Sequence, residues 1–204
     1  MTAPPLVRCA ITLLGAPGAA APPPGVAPAP WRAALAEDVA DLLAGLANVQ
    51  GAVAVIPADL ELAARLIWPG TPVFTVDVAR PVAALNAAAE AGYTEAAVIA
   101  ADAPDIPALH IGKLFRGLGS HLVAAAPAAG GGLVGLAARL PVPQWLVDAD
   151  PGLDDATVAG LRAAAPGPRA VAESPSWHRL RVPADVHLLD PDLEGWEATR
   201  ALLS

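Results

Sequence analysis

The stretch EAAVIAADAPDIPAL, residues 95–109, indicates the fold of this chain. Its apolar run, 96–101, ends at Asp102, and Pro104 and Pro107 interrupt the chain immediately afterwards. An unbroken apolar run of this length is typical of a strand that is buried on both faces of a parallel sheet. Because ligands of such sheets bind beyond the carboxyl ends of the strands, Asp102 is predicted at the ligand-binding edge. The same aspartate could instead cap the turn into the next helix, and both interpretations stay open.

The rest of the chain alternates between apolar segments and amphipathic ones. Apolar segments predict further strands at 6–14, 51–57, 72–76, 121–127 and 133–140, with a short one at 169–173. Periodicity and turn residues predict helices at 31–46, 58–67, 81–91, 108–118, 153–164 and 193–203. We expect the proline-rich stretch 15–30 to be a loop that cannot be helical. This order predicts one domain over residues 1–204, a three-layer α/β/α sandwich around a mostly parallel central sheet of at least five strands.

Composition and charge argue against two classes of partner. The 204-residue chain is 55% hydrophobic, but it contains no uninterrupted apolar stretch of about 18 residues, so we expect no membrane association. The net charge of −8 and the single lysine, Lys113, argue against nucleic-acid binding, which needs clustered cations.

The apolar run after Arg8 stops at Gly15 and is too short for a signal peptide, which favours the first strand of a cytoplasmic protein. Cys9, the only cysteine, is expected to be buried in that strand.

Two segments carry a resemblance to a known superfamily. One is D-x-P-x-x-P at 102–107 with its preceding strand, and the other is SHLVAAAPAAGGGLVGL at 120–136. Together with the order of strands and helices, they resemble the A-type glycosyltransferase and nucleotidyltransferase-like superfamily, in particular its small bacterial glycosyltransferase-like family of unassigned substrate. The segment PVAALNAAAEAGY at 81–93 also resembles the L-N-x-A segment of the 2-phospholactate guanylyltransferases. The similarity covers roughly residues 31–147.

The resemblance implies an Mg²⁺-dependent transferase that moves a nucleotidyl or glycosyl group from a nucleotide or nucleotide-sugar to a small-molecule acceptor. Asp102 matches the catalytic aspartate that holds the metal against the diphosphate, a role that suits a hard oxygen ligand. Asp190 or Asp192 would complete the metal site, although acidic residues also favour a helix N-terminus for electrostatic reasons alone. The resemblance further implies these nucleotide- or substrate-binding residues: Gly15, Gly18, Asn86, Gly130, Gly131 and Gly132.

The chain departs from the family pattern at three places. Residues 15–30 contain no lysine or arginine, although the family holds phosphates there with basic side chains. Ala129 stands where an aspartate is expected, and Gly132 where an aromatic residue is expected. Two interpretations follow: backbone N–H groups and distant arginines hold the phosphates, or the chain is a catalytically degenerate nucleotide-binding or scaffold protein. The first requires a second carboxylate near Asp102, whereas the second predicts Asp102 isolated or capping a helix.

The remaining signals are weaker. GGGLVG at 130–135 formally matches the dinucleotide fingerprint G-x-G-x-x-G, but it leads into a predicted strand instead of a helix. We therefore interpret its glycines as a backbone surface against which a flat base or sugar can lie. The four histidines show no metal-ligand spacing. The acidic stretch DADPGLDD at 148–155 is expected to be a solvated loop before the next helix.

Overall fold

The computed structural model describes residues 7–15, 20–167 and 169–204. Its strands are β1 (Arg8–Leu13), β2 (Gln50–Val55), β3 (Val73–Thr75), β4 (Glu95–Ala100), β5 (Val123–Pro127), β6 (Leu133–Arg139) and β7 (Val171–Glu173). Its α-helices are α1 (Pro28–Ala44), α2 (Leu60–Leu66), α3 (Pro81–Glu90), α4 (Ala108–Gly117), α5 (Gln144–Ala149), α6 (Val158–Ala164) and α7 (Glu197–Leu203). Short 3-10 helices cover Pro57–Asp59 and Pro183–Leu188.

The strands form one sheet in the order β3-β2-β1-β4-β6-β5-β7. β6 runs antiparallel to both of its neighbours, and the other pairings are parallel. β4 lies between β1 and β6, and all of its residues are buried. The structure therefore confirms the α/β class, the mostly parallel sheet of at least five strands and the interior position predicted for residues 96–101.

The side chains of β1 show how the sheet separates two helical layers, because successive residues of a strand point to opposite faces. Ile11 packs in a buried cluster with Leu85 of α3 and Leu146 of α5, to which α6 also contributes. Ala10 belongs to the opposite cluster, with Leu114 of α4 and residues of α1. These two clusters make up most of the core and produce the three predicted layers.

The C-terminal helix α7 docks on α1 through a buried carboxylate. Asp38 is 3% exposed and accepts hydrogen bonds from the backbone N–H groups of Ala198 (2.9 Å) and Thr199 (2.8 Å). Burial raises the pKa of Asp38 to about 6, against the opposing effect of these hydrogen bonds. Trp31 and Trp196 pack beside this contact in a cluster of their own. The C-terminal segment is thus attached to the α1 side of the sheet.

Several boundaries differ from the sequence expectations. α1 begins at Pro28, inside the stretch expected to be non-helical, because prolines in the first turn remove no intrahelical hydrogen bond. α6 begins at Val158 instead of 153, because Thr157 caps it by accepting a hydrogen bond from the Gly160 N–H. α7 begins at Glu197 instead of 193, and the short helix α5 was not predicted.

Two other sequence expectations concern the lone cysteine and membrane-spanning segments. Cys9 is fully buried in β1, as expected, and burial raises the pKa of its thiol to about 12. None of the helices in the described ranges combines the length and the apolar composition that crossing a bilayer requires.

Candidate functional site

A cavity of about 310 Å³ opens at the carboxyl ends of β1 and β4. These two strands are parallel neighbours, so the loops that follow them meet at the same edge of the sheet. The volume lies at the lower end of the range for small-molecule pockets. The lining residues come from six parts of the chain: Leu13–Gly15, Ala20 with Pro28, Arg32, Leu35 and Ala36 of α1, Ala79 and Arg80, Ala100–Asp102, Gly152–Asp155, and Arg179.

Asp102 lies at the tip of β4, and its carboxylate is engaged by an arginine of the same chain. Arg179 donates from Nε to Oδ1 at 2.6 Å and from Nη2 to Oδ2 at 2.9 Å. Both residues are 7% exposed. This bidentate arrangement is the strongest geometry available to an arginine and a carboxylate. The backbone is fixed as well, because the Leu180 N–H donates to the Asp102 carbonyl at 2.7 Å.

The remaining donors of Arg179 are also occupied. Its Nη1 donates to the carbonyls of Leu133 and Leu153, each at 3.2 Å, and its Nη2 lies 2.9 Å from Asp154 Oδ1. A guanidinium has five N–H donors, so this set accounts for all of them. Burial acts to lower the pKa of Arg179, but the hydrogen bonds and charges of Asp102 and Asp154 outweigh it and the pKa is raised. Arg179 is therefore a permanent internal cation.

This geometry does not fit an Mg²⁺ ion at Asp102. Mg²⁺ is attracted by the negative charge of carboxylate oxygens, whereas the charge of Asp102 is already balanced by the guanidinium that donates to both of its oxygens. Asp190 is positioned by another carboxylate, since its N–H donates to Asp105 Oδ2 at 3.3 Å, and its own Oδ1 accepts from the Asp192 N–H. Neither Asp190 nor Asp192 is among the residues that line the cavity. In the described parts of the chain, no group of three or more His, Cys, Asp or Glu residues is placed to hold a metal.

The capping interpretation of Asp102 does not fit the structure either. The next helix, α4, has Pro107 at its N-cap, and no side chain of the described residues caps it. Asp102 is instead neutralised by a residue 77 positions later in the chain. Both sequence interpretations missed this ion pair, because Arg179 lies in the irregular stretch WHRLRV, which carries no helical or strand periodicity.

The predicted glycine residues lie in different places. Gly130, Gly131 and Gly132 form a turn in which all three have positive φ. A Cβ at Gly132 would lie 2.5 Å from the Leu153 carbonyl, so only glycine fits this contact. The turn thus packs against residues 152–155 and is not among the lining of the cavity, whereas Gly15 is.

The two remaining predicted positions are Asn86 and Gly18. Asn86 is half-buried on α3 and does not line the cavity. Gly18 lies outside the described residues.

Arg181 links the glycine turn to the segment that carries Arg179. Its Nη2 donates to the Gly131 carbonyl at 2.9 Å. Burial and the nearby charge of Arg179 lower the pKa of Arg181. The glycine turn is therefore held by contacts to Leu153, Asp154 and Arg181.

Two further arginines line the cavity, and the sequence indicated neither by position. Arg32 of α1 donates from both Nη atoms to the carboxylate of Asp59, each at 2.7 Å, and also to the Gly15 carbonyl at 2.7 Å. Arg80 donates from Nη2 to the Asp150 carbonyl at 2.6 Å, and its Nε lies 2.8 Å from Asp150 Oδ2. Arg32 and Arg80 line the cavity although they are 48 positions apart in the sequence, and each already has an aspartate partner.

A second buried carboxylate holds the same C-terminal segment. Asp105 is 3% exposed, and its Oδ1 accepts from Trp177 Nε1 at 3.1 Å and lies 2.8 Å from His178 Nε2. Trp177 stacks on His178 and contacts His110, with ring centroids 4.8 Å and 4.9 Å away. The loop after β4 thus uses both of its aspartates to bind the segment 177–181 across the edge of the sheet.

The acidic stretch at 148–155 has a larger role than the solvated loop expected from the sequence. Leu153 is buried, and residues 152–155 form one wall of the cavity. Asp154 contributes its carboxylate to Arg179. The sequence alone could not reveal this because the loop's partners lie far away in the chain.

The chain has a nucleotide-diphospho-sugar-transferase-like fold, as its similarity to solved structures shows. No family model and no curated protein matches the sequence. A protein from Desulfovibrio desulfuricans G20, described as a candidate nucleotide-diphospho-sugar transferase, superposes with a TM-score of 0.61 at 18% identity, covering 97% of each chain.

Two other solved structures share the fold. The 4-diphosphocytidyl-2C-methyl-D-erythritol synthase of Anaerococcus prevotii DSM 20548 has a TM-score of 0.63 at 8% identity, over 98% of this chain and 97% of that one. Rv0371C of Mycobacterium tuberculosis H37Rv, in complex with manganese, has a TM-score of 0.50 at 19% identity, over 96% of each chain. At these identities the likeness establishes the fold.

Proposed function

We propose that this chain binds a nucleotide or a nucleotide-sugar in the cavity at the tips of β1 and β4, without metal-dependent catalysis at Asp102. The observation that carries the proposal is the bidentate pairing of Asp102 with Arg179. The charge of an aspartate whose two oxygens accept from a buried guanidinium is already balanced, which disfavours a dication at the same carboxylate. The chain would thus be the catalytically degenerate alternative that its sequence left open.

The lining of the cavity supports a nucleotide-like ligand. Leu13, Leu14, Leu35 and several alanines offer apolar surface to a base or sugar ring. The guanidinium of Arg80 lines the same cavity and can donate to a phosphate or a hydroxyl group. Apolar walls with a few convergent polar groups are the usual composition of small-molecule sites.

An Mg²⁺-dependent transferase is the second candidate. It would transfer a nucleotidyl or glycosyl group to a small-molecule acceptor, with the metal held by Asp102 and either Asp190 or Asp192. It is favoured by the fold shared with a described cytidyl-transfer enzyme and with a manganese-bound mycobacterial protein. It requires the dication to bind beside the buried guanidinium of Arg179 or to displace it from Asp102, and either arrangement disturbs a buried ion pair.

Binding measurements with and without Mg²⁺ distinguish the two candidates. Nucleoside mono-, di- and triphosphates and nucleotide-sugars would be titrated by calorimetry in EDTA and again in excess Mg²⁺. We expect binding in EDTA that Mg²⁺ does not strengthen, and we expect Arg80→Gln to weaken it. The control is Arg65→Gln, which removes an exposed arginine of α2 outside the cavity. Binding that requires Mg²⁺, or release of pyrophosphate or nucleotide in its presence, would establish the transferase instead.

A further inference from the structure

The cavity carries little charge to offset a polyanion. Among the described residues that line it, three are arginines, Arg32, Arg80 and Arg179, and three are aspartates, Asp102, Asp154 and Asp155. These formal charges cancel. A triphosphate brings several negative charges, and without a metal nothing in this lining would neutralise them. The ligand that suits the cavity therefore carries less charge than a nucleoside triphosphate.

The partners of Arg179 differ sharply in burial. The side chain of Asp102 is 9% exposed, whereas that of Asp154 is 71% exposed. Asp154 nevertheless lies 2.9 Å from Arg179 Nη2 and lines the cavity. Water can replace the partner of an exposed carboxylate, so Asp154 can be exchanged at little cost, whereas the buried Asp102 cannot.

We propose that the carboxylate of Asp154 occupies the place of a ligand phosphate, and that a ligand with a single phosphoryl group displaces it from Arg179. This inference rests on the proposed function and names its ligand class: a phosphate monoester, such as a nucleoside monophosphate or a sugar phosphate, bound without metal. When Asp154 turns away, the lining keeps three arginines and two aspartates. Arg32 and Arg80 stay paired with Asp59 and Asp150, so the phosphoryl group takes the one place at Arg179 that Asp154 leaves.

Arg80 supplies the second guanidinium for this phosphoryl group. Its contacts to Asp150 use Nε and Nη2. Its Nη1 has no hydrogen-bond partner among the described residues, and its side chain is 39% exposed. The unoccupied Nη1 of Arg80, a residue that lines the same cavity as Arg179, can donate a further hydrogen bond to phosphate oxygens.

Inorganic phosphate, pyrophosphate and tripolyphosphate test the inference without any choice of base. Each would be titrated in EDTA into the wild-type chain and into Asp154→Asn and Asp155→Asn. Asp155 is the matched control because it is also exposed and also lines the cavity, but it makes no recorded contact with Arg179. Both substitutions remove one negative charge, so only the displacement from Arg179 distinguishes them.

We expect Asp154→Asn to tighten phosphate binding about threefold to fivefold, the factor that corresponds to an exposed ion pair. Asp155→Asn should tighten it less than about twofold, because its charge is screened by solvent. The wild-type chain should bind phosphate at least as tightly as tripolyphosphate. Equal effects of the two substitutions, or a preference for tripolyphosphate, would overturn the inference. If Asp154→Asn does not fold, Asp154→Ser provides the same test.

Magnetic resonance of the arginine side chains adds a readout that does not depend on affinity. The Nε–H of Arg179 is buried against Asp102, so its signal reports on the guanidinium directly. Phosphate should shift this signal in the wild-type chain, and Asp154→Asn should shift it before any ligand is added. An unshifted signal at saturating phosphate would mean that the anion binds elsewhere.

The two proposals can fail separately. Nucleotides that bind with affinities unaffected by Asp154→Asn would support the proposed function and refute the displacement of Asp154. Phosphate binding that responds to Asp154→Asn, without binding of any nucleotide or nucleotide-sugar, would support the displacement and refute the proposed function.

Discussion

Arg179 and Arg80 line the same cavity and each pairs with an aspartate, yet the two pairs differ in burial and in hydrogen bonding. In the pair of Arg179 and Asp102 the side chains are 6% and 9% exposed, and two hydrogen bonds join them. In the pair of Arg80 and Asp150 they are 39% and 45% exposed, and one of the two contacts goes to a backbone carbonyl. The comparison indicates that burial decides the role of an arginine–aspartate pair. The buried pair of Arg179 and Asp102 fixes the structure of the site, whereas the exposed pair of Arg80 and Asp150 leaves its arginine accessible.

The physical reason is the cost of removing charges from water. Once both charges are buried, each depends on the other, and removal of one leaves an uncompensated charge. At the surface, water and salt replace a lost partner, so the pair contributes little. Arg32 and Asp59 form an intermediate case, with side chains 20% and 9% exposed. Substitutions at the three pairs should therefore produce graded effects.

The largest effect is expected from Asp102→Asn. The substitution leaves the buried guanidinium of Arg179 without its counter-charge and turns an amide N–H₂ group toward its donors. We expect a loss of about 3–5 kcal/mol in the free energy of unfolding, measured by urea denaturation in EDTA. A carboxylate reserved for a metal would behave in the opposite way, with stability unchanged or improved, because substitution would relieve repulsion between neighbouring carboxylates.

A second substitution identifies the cause of this loss. Arg179→Met added to Asp102→Asn removes the unpaired cation, so the double variant should recover part of the stability, with a coupling energy of about 0.5–3 kcal/mol. Additive losses would show that the two residues act independently.

The contrast between the pairs also explains what the sequence could predict. The strand β4 and its position in the sheet were predictable because burial on both faces leaves an unbroken apolar run. Asp102 at its tip was predictable because the carboxyl ends of parallel strands meet at one edge. Each of these inferences depends on residues that are close together in the sequence.

The partner of Asp102 was not predictable by the same reasoning. Arg179 is 77 residues away and lies outside any helix or strand, so no local pattern marks it. Arg80 and Asp150 meet across 70 residues. Ion pairs of this kind depend on the packing of the whole chain, which is why the sequence indicated a metal role for Asp102 but not its pairing with Arg179.

The intermediate pair should give an intermediate loss. Asp59→Asn keeps one acceptor for Arg32 but removes the charge and one of the two hydrogen bonds to the carboxylate. Hydrogen bonds to charged groups are worth about 1.5–3 kcal/mol, and the partial exposure of Arg32 reduces the effect, so we expect a loss of about 1–2 kcal/mol by urea denaturation. A loss as large as that of Asp102→Asn would contradict the expectation that the stability lost on substitution increases with the burial of the ion pair.

The smallest effect on stability is expected from Arg80→Gln. Its pair with Asp150 is exposed, so the free energy of unfolding should change by less than about 1 kcal/mol. The difference from the wild-type chain should vanish in about 1 M NaCl, where the Debye length falls to about 3 Å, whereas the deficit of Asp102→Asn should persist because salt does not screen a buried pair. Urea, which is uncharged, must be the denaturant. If salt abolished the Asp102→Asn deficit, or left a large one for Arg80→Gln, the two pairs would be energetically alike. Arg179 and Arg80 could then no longer be assigned a structural and a ligand-binding role on the basis of burial.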